Sequence, residues 1–138
     1  MKSSIICLLA VVFLSSSFIG NAQSAEDSAR ACLEHYMSGD GNRMEKAFHP
    51  SATMKYIDAQ TGVFTDVPIA DFIVRAKANT GPIPKRTIEI LSLNIEGNAA
   101  QAKIKIAYEK VILFDYMNLL LINNEWKIVS KIFSRKPV

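Results

Sequence analysis

The chain has 138 residues, of which 49% are hydrophobic and 21% are charged, and its formal net charge is +3. This length corresponds to one domain, and the ordinary balance of apolar and charged residues excludes a disordered or collagen-like chain. The positive excess is small and scattered, so it does not predict a nucleic-acid partner.

Residues 1–22 are typical of a secretory signal peptide. Lys2 supplies the positive N-terminal charge, Ile5 to Leu14 form an unbroken apolar run, and small residues precede Gln23. The run is too short to span about 30 Å of hydrocarbon, so we predict cleavage and no stable membrane anchor. The sequence therefore predicts an exported domain over residues 23–138, periplasmic or secreted.

Cleavage would also remove Cys7 and leave Cys32 as the single cysteine of the exported domain. No internal disulfide is then expected, and the fold must depend on its apolar core. Cys32 falls on the apolar face of a predicted helix, which is typical of a buried, unreactive thiol.

Helical spacing of apolar residues and alternating strand patterns predict five elements in the first half of the exported chain. In chain order these are a helix over 25–38, a short helix over 43–48 opened by Asn42, strands over 53–57 and 63–67, and a helix over 69–79.

The second half is predicted to be β throughout. Four strands are expected over 86–95, 100–110, 111–122 and 125–134, and Asn123-Asn124 suits a tight hairpin. The predicted fold is α+β, a curved antiparallel sheet with three N-terminal-half helices packed on its concave face. Helices rarely fill such a face completely, so we expect a cone-shaped apolar cavity.

Two segments carry a family resemblance. They are EHYMSGDGNRMEKAFHPSATM (Glu34 to Met54) and DYMNLLLINNEWKIVSKIF (Asp115 to Phe133). They resemble the nuclear transport factor 2-like superfamily, and within it most resemble the small exported bacterial proteins called putative lumazine-binding proteins. The resemblance covers nearly the whole exported chain and implies a cystatin-like cone. It implies no single activity, because this superfamily includes isomerases, cyclases, dehydratase-like enzymes and transport adaptors.

The sequence predicts neither a metal site nor a bound cofactor. The histidine and cysteine side chains of the exported chain that could bind a transition metal are His35, His49 and Cys32. Its sequence contains neither an H-E-x-x-H motif nor a pair of cysteines. Its five glycines fall at turns and helix ends, which excludes a glycine-rich phosphate loop.

Resemblance to the ketosteroid-isomerase-like enzymes of this superfamily implies two positions for acid–base chemistry. Tyr36 falls where that family carries its oxyanion tyrosine. Tyr56 falls on the strand that carries that family's base, and a tyrosine is a poor base near neutral pH. Asp58 follows two residues later, towards a turn.

Two further residues are candidates for catalysis. Asp115 lies within the apolar stretch 111–122, either as a pocket group or on the convex face paired with Lys103, Lys105 or Lys131. His49 is either an acid–base group at the pocket mouth or a histidine that holds a loop carbonyl. The catalytic candidates are therefore Tyr36, His49, Asp58 and Asp115.

The ligand-binding candidates are the aromatic residues expected near the cavity, with Trp126 alternatively filling the core. They are Tyr36, Tyr56, Tyr108, Tyr116 and Trp126.

Both faces of strand 111–122 are apolar, which predicts a homodimer through the outer face of the sheet, unless lysine stems shield that face. In the last strand, alternation places Trp126, Ile128 and Ile132 on one side, and Val129, Phe133, Lys127 and Lys131 on the other.

Three functions are consistent with these residues. The first is an exported protein that binds a small apolar or aromatic molecule without established catalysis. The second is an isomerase-, cyclase- or dehydratase-like enzyme that uses a pocket tyrosine with an aspartate or histidine. The third is a protein-interaction module that uses the sheet face.

Overall fold

The structure, a computed structural model, describes residues 18–138, with side chains described from Ala25 onward. The predicted signal peptide lies mostly outside this part of the chain, so its cleavage and export stay predictions. The elements are α1 (Phe18–Met37), α2 (Gly41–Ala47), β1 (Phe48–Ile57), β2 (Phe64–Pro68), α3 (Ile69–Ala78), β3 (Thr87–Glu96), β4 (Ala99–Ala107), β5 (Val111–Ile122) and β6 (Glu125–Pro137). No helix in the described part is long and apolar enough to cross a membrane.

The three predicted helices are present, with shifted ends. α1 begins earlier than predicted. The carboxylate of Asp40 accepts a hydrogen bond from the backbone N–H of Arg43 at 2.8 Å, so Asp40 rather than Asn42 caps α2. Gly41 packs directly on α3, because a Cβ there would lie 2.5 Å from the backbone nitrogen of Lys77.

The six strands form one curved sheet in the order β2-β1-β6-β5-β4-β3. The predicted α+β class with a curved sheet is confirmed, but the expectation of a wholly antiparallel sheet is wrong at one pair. β1 and β6 run parallel, while the other four neighbouring pairs are antiparallel. The alternation of side chains does not reveal which distant strand a segment joins, nor in which direction.

A β-bulge interrupts the pairing of β5 with β6. Leu119 pairs with Ile128, whereas the preceding Asn118 pairs with Ser130, so Val129 has no partner across the ladder. One extra residue in a strand exchanges the two faces for every residue that follows it.

The bulge corrects the predicted faces of the last strand. Trp126 and Ile128 point into the core as expected, but beyond the bulge Lys131 is buried and Ile132 is 53% exposed. Phe133 is partly buried against the core. Strict alternation would have placed Lys131 outside, and the bulge turns it towards the helices.

The core lies between the helices and the concave face of the sheet. Leu33 of α1 is fully buried, as are Ile104 of β4, Met117 of β5 and Ile128 of β6. The predicted β5–β6 hairpin is also present, and Asn123 and Asn124 both have positive φ (50° and 63°). The core does not fill the concave face completely.

Candidate functional site

A cavity of about 460 Å³ opens between α3 and the inner face of the sheet. This volume is within the range of small-molecule sites, about 300–1,000 Å³. Its apolar wall includes Met37, Met54, Phe72, Ile88, Ile106 and Phe133. Its polar lining consists of Tyr36, Arg75, Asn79, Arg86, Tyr108 and Lys131.

Three buried polar side chains meet at the inner end of this cavity. Tyr36, in the last turn of α1, donates a hydrogen bond through Oη to Asp115 Oδ2 at 2.6 Å. Lys131 Nζ donates to Tyr36 Oη at 2.8 Å and lies 3.4 Å from Asp115 Oδ1. Tyr36 and Lys131 line the cavity, whereas Asp115 lies behind them.

Burial controls the protonation of this Tyr36–Asp115–Lys131 cluster. Asp115 is 0% exposed and Lys131 is 4% exposed. Desolvation lowers the pKa of Lys131, and the neighbouring Asp115 carboxylate opposes that effect. Desolvation, reinforced by Asp115, raises the pKa of Tyr36 well above its ordinary value, so its hydroxyl stays neutral.

Lys131 and Asp115 of this cluster form an ion pair without a hydrogen bond to Asp115 Oδ1. Within the described residues, Asp115 Oδ1 accepts no hydrogen bond, and its contact with Lys131 at 3.4 Å is electrostatic. Lys131 Nζ also lies 4.8 Å from the ring centroid of Phe133 and 5.0 Å from that of Tyr36. The ammonium therefore lies beside two aromatic rings and one carboxylate, and the side chain still lines the cavity.

Arg86 forms a second polar part of the wall. Its Nη2 donates to the backbone carbonyl of Met37 at 2.9 Å, which holds the guanidinium against the end of α1. Gly39, with φ of +74°, permits this approach, because a Cβ there would lie 2.5 Å from Arg86 Nη2. The glycine that ends α1 thus also makes room for Arg86.

The structure brings some of the predicted catalytic candidates together. Tyr36 and Asp115 are hydrogen-bonded, and Asp115 pairs with Lys131 on the concave side rather than on the convex face. His49 and Asp58 lie elsewhere: His49 Nδ1 is 2.7 Å from Ser51 Oγ, and Asp58 accepts backbone hydrogen bonds within the β1–β2 turn.

The aromatic candidates are also divided. Tyr36 and Tyr108 line the cavity. Tyr56 stacks on Phe133 with ring centroids 4.6 Å apart, Tyr116 is 38% exposed on the outer face, and Trp126 is buried in the core. None of these last three lines the cavity, and the role of each candidate stays a prediction.

Sequence reasoning did not select the three cations of the cavity wall, Lys131, Arg86 and Arg75. Strand alternation predicts Lys131 on the side opposite Trp126 and Ile128, because the bulge at Val129 leaves no clear mark in the hydrophobic pattern. No local pattern indicates Arg86, because the groups that hold it, at Met37 and Gly39, lie far away in the sequence.

Residues 21–134 match the family described as putative lumazine-binding. The chain belongs to this family. No curated protein matches it.

Solved structures show the same nuclear transport factor 2-like fold. A protein of unknown function from Shewanella baltica OS155 is 24% identical, with a TM-score of 0.73, covering 90% of this chain and 100% of that one. Another from Methylobacillus flagellatus KT is 26% identical, with a TM-score of 0.71, covering 82% and 93%. A domain of unknown function with a cystatin-like fold, from Nostoc punctiforme PCC 73102, is 13% identical, with a TM-score of 0.58, covering 87% and 80%.

Proposed function

We propose that this family member is an exported protein that binds a small apolar or aromatic molecule in the cavity between α3 and the sheet. The observation that carries the proposal is the cavity itself, about 460 Å³ with a mainly apolar wall and a few convergent polar groups. This combination is typical of a ligand site.

The hydrogen bonding of the buried cluster favours binding over acid–base catalysis. The hydroxyl proton of Tyr36 is donated to Asp115, so it is not free to stabilise an oxyanion. Asp115 lies behind Tyr36 and Lys131 and does not line the cavity, so it is not placed to abstract a proton from a ligand. Lys131 has three N–H groups and donates one to Tyr36, which leaves donors for an acceptor atom of the ligand.

The enzyme alternative has one observation in its favour, the 2.6 Å bond between Tyr36 and Asp115. An enzyme would need this pair to open when substrate enters, so that the carboxylate reaches the cavity. Turnover of an isomerisable ketone that is lost in both Tyr36→Phe and Asp115→Asn would support this alternative.

Filling the cavity tests the binding proposal. Ala76 of α3 lines the cavity, while Ala78 of the same helix is exposed and does not line it. Ala76→Phe should abolish binding of naphthylmethanol and of lumazine, and Ala78→Phe should leave binding unchanged. Isothermal titration calorimetry measures the affinity, and native mass spectrometry identifies any molecule that copurifies.

Two results would contradict the proposal. One is the absence of any binding or copurifying molecule with the unsubstituted protein across a panel of neutral and acidic aromatic compounds. The other is equal binding by the two variants, which would place the ligand outside the cavity. Circular dichroism of both variants controls for folding.

A further inference from the structure

We infer that the ligand carries a carboxylate, and that the guanidinium of Arg86 recognises it while the apolar wall holds the rest of the molecule. This inference rests on the proposed binding function and specifies the chemical class of the ligand. It follows from the charges on the cavity wall, from the position of Arg86 and from the groove outside.

The ionisable side chains of the cavity wall, apart from two tyrosines, are all cationic. They are Arg75, Arg86 and Lys131, and no aspartate or glutamate among the described residues lines the cavity. Lys131 is compensated by Asp115 behind the wall. In the described part of the chain, the guanidinium groups of Arg75 and Arg86 form no ion pair. These two guanidinium groups therefore give the cavity a positive charge that a bound anion can balance.

Arg86 is held in place before any ligand arrives. It is half-buried, and its bond to the carbonyl of Met37 uses one of the five N–H donors of the guanidinium. A carboxylate can accept two parallel hydrogen bonds from such a planar group. The same wall includes the hydroxyl-bearing Tyr108. Because the guanidinium is already fixed and partly desolvated, little ordering is needed to bind an anion.

The charge pattern continues outside the cavity. An open groove shares Arg86, Tyr108 and Phe133 with the cavity and extends between the starts of β3 and β5. Its other ionisable residues are Lys85, Lys110 and Arg135 with one carboxylate, Glu109. Three cations against one anion should raise the local concentration of an acidic ligand at the entrance.

A matched pair of compounds tests the inference, since naphthoic acid and naphthylmethanol share a ring system and differ in the carboxylate. The unsubstituted protein should bind the acid about tenfold or more tightly than the alcohol. Arg86→Gln should remove that preference, because it should weaken binding of the acid about tenfold more than binding of the alcohol. Lys105→Gln, which removes the same charge from the outer face of β4, should keep the preference.

Arg86→Lys gives a second measurement if Arg86→Gln does not fold. It keeps the charge but lacks the planar pair of donors, so the preference for the acid should be reduced and not abolished. Two results would overturn this inference while the binding proposal stands. One is equal affinity of the unsubstituted protein for the acid and the alcohol. The other is an unchanged preference for the acid in Arg86→Gln. Binding of neither compound or of any other aromatic probe contradicts the binding proposal itself.

Discussion

Replacing Asp115 with asparagine should destabilise the protein strongly, because it removes the single anion of the buried cluster. The substitution keeps nearly the same shape, and the amide oxygen can still accept the hydrogen bond of Tyr36. What changes is the charge beside Lys131, a residue that is 4% exposed and whose ammonium lies 3.4 Å from the carboxylate.

The expected loss of unfolding free energy is large compared with the total stability of a small domain. Removing one partner of a buried ion pair costs about 3–5 kcal/mol, against a total free energy of unfolding of about 5–15 kcal/mol. Asp66, which pairs with Lys55 at the surface, provides the control. Its side chain is 47% exposed, so Asp66→Asn should cost about 1 kcal/mol or less.

The loss of stability caused by Asp115→Asn should also become smaller at alkaline pH. Burial lowers the pKa of Lys131 below its ordinary 10.5, and Asp115 opposes this, so Asp115→Asn lowers that pKa further. The unfolded chain then binds more protons than the folded chain between the folded pKa and 10.5, and stability rises with pH across that interval. The difference from the unsubstituted protein should therefore decrease as the pH approaches 10.5.

Urea unfolding followed by fluorescence of the buried Trp126 measures these free energies. The double variant Asp115→Asn/Lys131→Met should be less destabilised than the sum of its two single variants, because neither charge then remains unpaired. If Asp115→Asn costs no more than Asp66→Asn, or if the double variant is strictly additive, the reasoning about the buried pair is wrong.

Three further predictions concern packing, assembly and processing. Gly41→Ala should lower the free energy of unfolding by about 3 kcal/mol in the same assay, because the new Cβ would meet the α3 backbone. Gly62→Ala should cost about 1 kcal/mol for its positive φ, because a Cβ there meets nothing within 4 Å. Equal losses would contradict the close approach of Gly41 to α3. If the outer sheet face forms a homodimer, Ile132→Lys should yield monomers in analytical ultracentrifugation. Val74→Lys, on the exposed side of α3, is the control and should leave the dimer intact. A monomeric unsubstituted protein would contradict the predicted dimer. Intact-mass measurement of the exported protein should show a chain that begins at Gln23, and retention of Met1 would refute signal cleavage.

Local patterns in the sequence were sufficient for the elements and the fold class. Helical spacing predicted the three helices and placed Cys32 on the buried face of α1, and paired asparagines predicted the β5–β6 hairpin. These features depend on residues a few positions apart, so the sequence determines them without knowledge of the rest of the chain.

The composition of the site depended on contacts between distant residues. The parallel pairing of β1 with β6, the unpaired Val129 that turns Lys131 inward, and the approach of Arg86 to Met37 each join parts of the chain far apart in sequence. Which strands pair, and where one of them gains an extra residue, is determined by how the whole sheet curves around the helices. For that reason the sequence alone identified Tyr36 and Asp115 as candidates, while only the tertiary structure showed that Lys131 completes their cluster and that Arg86 lies on the same wall.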